Sequence, residues 1–388
     1  MIIVISTLFC IMPFFSLPFV VFGFLSSEKL SHKKIYAMCM AIAVSILLYY
    51  FIPDITKDLH RYYIIMKKLS VMEISEFGAY LASKMEPLSN IYFYIFAKIG
   101  NYNLIIVVTT LISYCILFCV LWEHQKDINL SNIDFNIVFI FMVSTFYLVD
   151  DITGIRFCIA RLIFYLALYF DLYKENKKIY IKLLYIVSTL IHSSCIIFLL
   201  IRILFSFTKN KFNIKTFFAL FLVSISPNIL IKLANVTSKI YFFSTLSQKA
   251  EEYLSLNAGL YPMFILQLVI MMLAFILLLY TRKRNEQSNS NYINYILIIL
   301  SIGLLFYQCT SISTRFIRAA IVFSIPILMD FLKEIKVKNK PMVYMVILAI
   351  SIISLAFQLS HLTVKISYGN LFEEGIFKNI ISIFFKKL

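Results

Sequence analysis

Long apolar runs separated by short polar clusters fill the chain from end to end. A helix needs about 20 apolar residues to cross a bilayer core. Runs of that order lie near residues 2–25, 35–52, 104–122, 135–149, 156–173, 216–231, 261–280, 292–308, 316–332 and 342–359. The pattern predicts an all-α polytopic membrane protein with about 10 transmembrane helices, built as a single integral membrane domain over residues 1–388. Residues 1–25 lack a basic start and a small-residue cleavage site, so they predict a span rather than a removable signal peptide.

One further run, 179–207, is too long for a single crossing and holds His192 at its middle. Two crossings of half that length would be short. A re-entrant hairpin that turns near His192-Ser193-Ser194 and returns to the same side resolves the conflict, provided protein surrounds its backbone.

Charge sets a direction for these spans. The connections 26–34, 123–134, 174–182, 208–215, 281–291 and 333–340 carry 18 Lys/Arg in 57 residues, against 9 in 76 for 53–87, 150–155, 232–259 and 309–315. The basic set is expected in the cytoplasm, which puts both termini outside and leaves two long periplasmic loops, 53–87 and 232–259. The tail 371–388 spaces apolar residues helically beside lysines and predicts an amphipathic helix lying on the membrane.

Composition narrows the function. With 61% hydrophobic and 14% charged residues, the chain lies far from a soluble domain at about 45–50% and 25%. The net charge of +16 is explained by cytoplasmic loops, with no need for nucleic acid. Six of the seven cysteines sit in apolar runs and read as small core residues rather than disulfides or metal ligands. There is no glycine-rich phosphate loop with a Walker lysine, so ATP-driven transport has no support. No metal-ligand cluster and no cofactor motif appears.

Charged groups at membrane depth cost roughly 2.5–3.5 kcal/mol, so each needs a reason. Arg156 opens a span near its outer end, and Arg161 lies deeper on a different face, since five residues turn a helix by about 500°. Arg156 either snorkels to pair with Asp150 or Asp151, or clamps an anion such as a phosphate. Arg315 and Arg318 open the span 316–332 on the same side and share a face. In the loop 53–87, Asp54, Asp58 and Arg61 have helical spacing, with Glu86 before Pro87 at its end. A desolvated carboxylate there can take a proton from a hydroxyl nucleophile, whereas a solvated loop would merely balance its charges. His192 either makes a structural hydrogen bond or serves a site at the hairpin tip. Glu251 and Glu252 lie in the second long loop.

Four segments recur in a recognisable order: Asp58-Leu59-His60-Arg61-Tyr62-Tyr63, Glu86-Pro87-Leu88, Ile155-Arg156-Phe157-Cys158-Ile159-Ala160 and Ile191-His192-Ser193-Ser194. Over roughly residues 35–205 the chain resembles the EpsG-like branch of bacterial polysaccharide polymerases, which includes many Wzy-type O-antigen polymerases. Many members carry Gln where this chain has Phe157. The resemblance implies a metal-independent glycosyltransferase of the bacterial inner membrane that needs no cofactor. It would work at the outer face on polyprenyl-pyrophosphate-linked oligosaccharides, moving the growing chain from its lipid carrier onto a new repeat unit. Membrane lipid and a chain-length regulator are the other implied partners. The implied roles are catalysis for Asp58, Glu86 and His192, with Asp58 ahead of Glu86 as the base. Arg61, Arg156, Arg161, Arg315 and Arg318 would hold the pyrophosphate. A lipid-linked sugar flippase remains the alternative. A membrane acyltransferase would need an acid beside its histidine, which His192 lacks in local sequence.

Overall fold

A computed structural model describes residues 2–11, 13–51, 57–146, 152–207, 269–270, 290–305 and 310–363. The expected spans 216–231 and most of 261–280, the loop 232–259, the tail 371–388, and Asp54, Asp150, Asp151, Glu251 and Glu252 lie outside the described residues. Among the described residues the fold is helical and has no strand. In chain order the helices are α1 (Ile2–Ile11), α2 (Pro13–Ser26), α3 (Leu30–Tyr49), α4 (Asp58–Ser70), α5 (Ile74–Ala82), α6 (Pro87–Ile99), α7 (Leu104–Ile128) and α8 (Asn132–Thr145). They continue as α9 (Ile155–Leu168), α10 (Ile179–Ile191), α11 (Cys195–Phe207), α12 (Ser290–Leu305), α13 (Thr310–Phe323), α14 (Ile325–Glu334) and α15 (Lys340–Thr363).

Three segments are long and apolar enough to cross a bilayer: Leu30–Tyr49, Leu104–Ile128 and Val337–Gln358. Shorter apolar helices, among them Asn132–Thr145, Ile179–Ile191 and Cys195–Phe207, fill in around them. Large apolar side chains stay exposed along the outer faces, such as Met342 at 69% and Ile352 at 66%. Hydrocarbon rather than water satisfies a surface of that kind, and the protein is a membrane protein.

Local chemistry interrupts several of the sequence runs. Pro13 opens α2 at a position where a missing N–H costs nothing, so 2–25 divides into two helices. The run 316–332 divides at Ser324, with Pro326 in the first turn of α14. As a result Arg315 and Arg318 lie inside α13, which starts at Thr310, rather than at the opening of a span. α9 ends in a π-helical turn, Tyr169–Tyr173, which continues the chain to 173. The loop 53–87 is largely helical, holding α4 and α5, and a capping box between Glu73 and Glu76 starts the second of these.

α9 is sheathed by α7, α10, α11 and α13. Aromatic rings fill its surroundings: Phe164 lies 4.8 Å from Tyr185, and Tyr165 stacks on Phe323 at 5.5 Å. Nearer the N-terminus, α2 and α3 approach closely at Gly23. A Cβ there would meet Cζ of the buried Tyr36 ring at 2.6 Å.

Polar pairs gather at one end of the bundle. Lys33 bonds the Phe24 carbonyl at 2.9 Å and also reaches Asn136. Asp127 pairs with Lys174, and Asp134 accepts from Lys340 at 2.6 Å and Tyr344 at 2.5 Å. His124 lies 3.1 Å from Asp330, which also accepts from Tyr173 at 2.9 Å. These bonds tie the connection 123–134 to 174–182 and 333–340, and 26–34 to α8 beside them. The hairpin folds back toward the same end. Asp171 Oδ2 accepts from Tyr185 at 2.9 Å and from Arg202 at 2.8 Å, one residue from each leg. The turn at His192–Ser194 therefore lies at the far end, as does Arg156, about 22 Å from Asp171 along the axis of α9.

Candidate functional site

Glu86 is placed by the way α6 begins. Pro87 takes the first helical position, and a residue before proline is kept out of the right-handed helical region; Glu86 has φ −120° and ψ 69°. The Glu86 carbonyl caps the turn by accepting from Ser89 Oγ at 2.9 Å and Asn90 Nδ2 at 2.8 Å. Its side chain makes no cap bond of its own and is left to reach across the bundle.

There the carboxylate meets two other elements. Oε1 accepts from the Ser193 backbone N–H at 2.9 Å, from Ser193 Oγ at 2.7 Å and from His192 Nδ1 at 2.9 Å. Oε2 accepts from Arg156 Nη1 at 2.5 Å. Arg156 also donates from Nε to Tyr62 Oη at 3.1 Å, and its guanidinium lies 5.0 Å from the centre of the Tyr62 ring. The Glu86 and His192 side chains keep only 9% and 11% of their exposure, and Arg156 keeps 30%.

Electrostatics follow from these contacts. Burial alone would push the Glu86 carboxyl up, but the His192 hydrogen bond, the Arg156 charge and the Ser193 N–H outweigh it and hold the group well below the usual carboxylate range. Burial pushes the Tyr62 phenol up to about 12 despite the nearby Arg156, so it stays protonated. An ionised carboxylate only accepts, so His192 Nδ1 carries the hydrogen, and in the neutral form of the ring the lone pair is on Nε2.

Phe157 forms the floor of the site. The His192 ring meets it edge-on at 5.7 Å, and the guanidinium carbons of Arg161 and Arg315 lie 5.6 Å and 5.5 Å from its centre. Arg315 also donates to Ser194 Oγ at 3.1 Å, which ties α13 to the hairpin tip. Arg161 is fully buried below this floor. Arg318 is half-buried one turn further along α13.

The sequence candidates thus separate into three groups. Glu86, Arg156, His192 and Arg315 meet at the hairpin tip. Arg161 and Arg318 lie behind them. Asp58 and Arg61 pair with each other at 3.4 Å on an exposed edge of α4, one turn from Tyr62, and Asp58 is within electrostatic reach of Arg156. Tyr62, Phe157, Ser193 and Ser194 carry no charge to mark them in the sequence, and the structure puts all four in contact with the charged set. The acid absent from His192's own neighbourhood in the sequence arrives from α6, 106 positions away. Among the described residues no group of three His, Cys, Asp or Glu is placed to hold a metal ion.

Fold and site together define an all-helical membrane protein with a buried Glu–His pair and a half-buried arginine at one end of its helices. The chain belongs to the EpsG family, which matches residues 34–372, and EpsG-like proteins are Wzy-type polymerase-like. The match extends beyond 35–205 to include α12 to α15, and with them Arg315 and Arg318. No curated protein and no solved structure matches the chain.

Proposed function

We propose that the protein polymerises polyprenyl-pyrophosphate-linked oligosaccharide repeats into O-antigen or exopolysaccharide at the periplasmic face of the bacterial inner membrane. The observation that carries this reading is the Arg156–Glu86–His192 set. Of the five N–H donors of the Arg156 guanidinium, two are spent on Glu86 and Tyr62 among the described residues, which fixes its plane and leaves further donors to face an anion. A pyrophosphate leaving group needs such donors, because negative charge builds on its bridging oxygen as the sugar departs.

In the proposed reaction the bond from the donor's anomeric carbon to the pyrophosphate oxygen breaks. A new bond forms from that carbon to the acceptor hydroxyl oxygen. The pyrophosphate leaves as an anion on its lipid, and the hydroxyl proton passes to a base. His192 Nε2 suits that step better than Glu86, whose oxygens already accept four hydrogen bonds and whose depressed pKa makes it a weak base. Glu86 then orients the imidazole and balances the imidazolium as it forms. Asp58, on the rim with Arg61, is the second candidate for the base or guides the acceptor sugar. Metal-independent chemistry of this kind draws its charge stabilisation from the arginines.

Purified protein in proteoliposomes, supplied with lipid-linked repeat units, is expected to yield a ladder of longer lipid-linked glycans. A flippase would instead move the units across the bilayer without lengthening them, and that outcome would overturn the polymerase reading.

A further inference from the structure

A cleft of about 470 Å³ opens between the two legs of the hairpin at the end away from Arg156. Its rim is basic. Lys177, Lys178 and Lys182 line it, and Arg202 stands inside, already neutralised by Asp171. None of the three lysines has an ion-pair partner among the described residues. They surround the first turn of α10, whose partial positive charge has the same sign.

The walls are apolar. Ile186, Leu199 and Ile203 face the cleft. The apolar surface continues outside it over Leu183, Leu200 and Leu204, exposed at 52%, 53% and 63%. A small soluble anion would use the lysines but gain nothing from that continuous surface. An amphiphile with a phosphate head satisfies both, and a basic pocket between membrane helices is where anionic head groups bind.

We infer that the cleft between α10 and α11 binds one anionic glycerophospholipid, with its phosphate among Lys177, Lys178 and Lys182 and an acyl chain along Ile186, Leu199 and Ile203. The inference stands on the membrane character of the protein and does not need the polymerase reading. Because Tyr185 and Arg202 clamp the legs to Asp171 at the cleft's inner edge, the lipid would brace the hairpin that carries His192.

Native mass spectrometry of the full-length protein tests this, with equimolar phosphatidylglycerol and phosphatidylcholine as probes. Phosphatidylglycerol should be retained at least about tenfold better, and Lys177→Gln/Lys178→Gln/Lys182→Gln should abolish the preference while its melting temperature stays close to wild type. Equal retention of the two lipids would overturn the proposal. So would an unchanged preference in the variant, or displacement of the lipid by millimolar inorganic phosphate, which would mark a site for the free anion. Should the variant not fold, photoactivatable phosphatidylglycerol on the wild-type protein decides. Labelling of peptides within 177–186 and 199–206 supports the site, and labelling confined elsewhere overturns it.

Discussion

Glu86 Oε1 lies 2.9 Å from His192 Nδ1, and the same oxygen also accepts from the Ser193 N–H at 2.9 Å. One carboxylate therefore fixes both the ring and the backbone of the hairpin tip. Its second oxygen holds Arg156, so the cation of α9 and the histidine of the hairpin share a single acid. Removing that acid disturbs three elements at once.

Glu86→Gln is expected to lower stability by about 1–3 kcal/mol, less than for a fully buried pair because Arg156 keeps 30% of its side-chain exposure. The pH dependence has a definite sign. The folded-state pKa is held below the ordinary value of 4.5, so the stabilisation is complete above that pH and is lost as pH falls below it. The gap between the melting curves of purified wild type and Glu86→Gln should be constant from pH 7 to about pH 4.5 and narrow progressively from there to pH 3. A gap that stayed constant down to pH 3 would show that Glu86 is not held as the ion.

Arg156→Lys should cut polymer synthesis by at least about 10²-fold, and Arg156→Ala should abolish it. A lysine can hold Glu86 or Tyr62 but cannot present a planar fork to both and still face a phosphate. Polymer ladders beside immunoblots of membrane abundance measure the effect. Wild-type polymer from a normally inserted Arg156→Ala protein would remove the clamp.

Hydropathy located helices at several of the expected runs, such as Leu30–Tyr49 and Leu104–Ile128, because a bilayer demands contiguous apolar length and that is written locally in the chain. It gave no such signal for α4, α5 and α6, which are shorter or more polar. It missed the breaks at Pro13 and Ser324, where local backbone chemistry overrides composition. The site was half legible. Arg156 and His192 stand out as costly polar groups inside apolar sequence and Glu86 as the acid before Pro87 at the end of a loop, yet nothing local says that Glu86 reaches His192 across the bundle. Tyr62 and Phe157 look like ordinary packing aromatics, and only their contacts with Arg156, His192 and Arg315 show otherwise. The absence of an acid near His192 in the sequence counts against an acyltransferase. The Glu86 contact removes that objection, so the preference for a polymerase rests on the family and on the arginines.

Sidedness has its own test. Reporter fusions after Lys178, Lys211 and Lys338 should report cytoplasm, and fusions at Ser70 and Ser247 should report the periplasm. The bonds from Tyr185 and Arg202 to one Asp171 oxygen bring the two legs back toward one end of the bundle as far as Phe207, so fusions after Lys178 and Lys211 are expected on the same side. Finding Lys178 and Lys211 on opposite sides would contradict that geometry.

Asp171→Asn checks the same hairpin from its base. Asn keeps the shape but loses the charge that holds Arg202, so thermal stability should fall by about 1–3 kcal/mol. Cys195, fully buried beside the tip, should then react faster with a membrane-permeant thiol reagent. Unchanged melting and unchanged labelling would show that the Asp171 bonds do not hold the legs together.

The proton acceptor is decided by comparing His192→Gln with Asp58→Asn. General-base catalysis contributes typically about 10²–10⁴-fold, so loss of the base should lower turnover by that factor while lipid-linked substrate still binds. Gln at 192 can still donate to Glu86 Oε1 and preserve the clamp, but its amide cannot take a proton. His192→Gln is therefore expected to lose turnover with the membrane abundance and substrate retention of the wild type. Asp58 stands on an exposed edge, its carboxylate paired with Arg61 at 3.4 Å. Asp58→Asn should raise the acceptor concentration needed for half-maximal rate and leave the maximal rate within about tenfold, as expected of a group that positions rather than reacts. The opposite pattern, with His192→Gln near full turnover and Asp58→Asn crippled, would transfer the base to Asp58. Glu86 and His192 would then serve only to hold Arg156 and the hairpin tip in place.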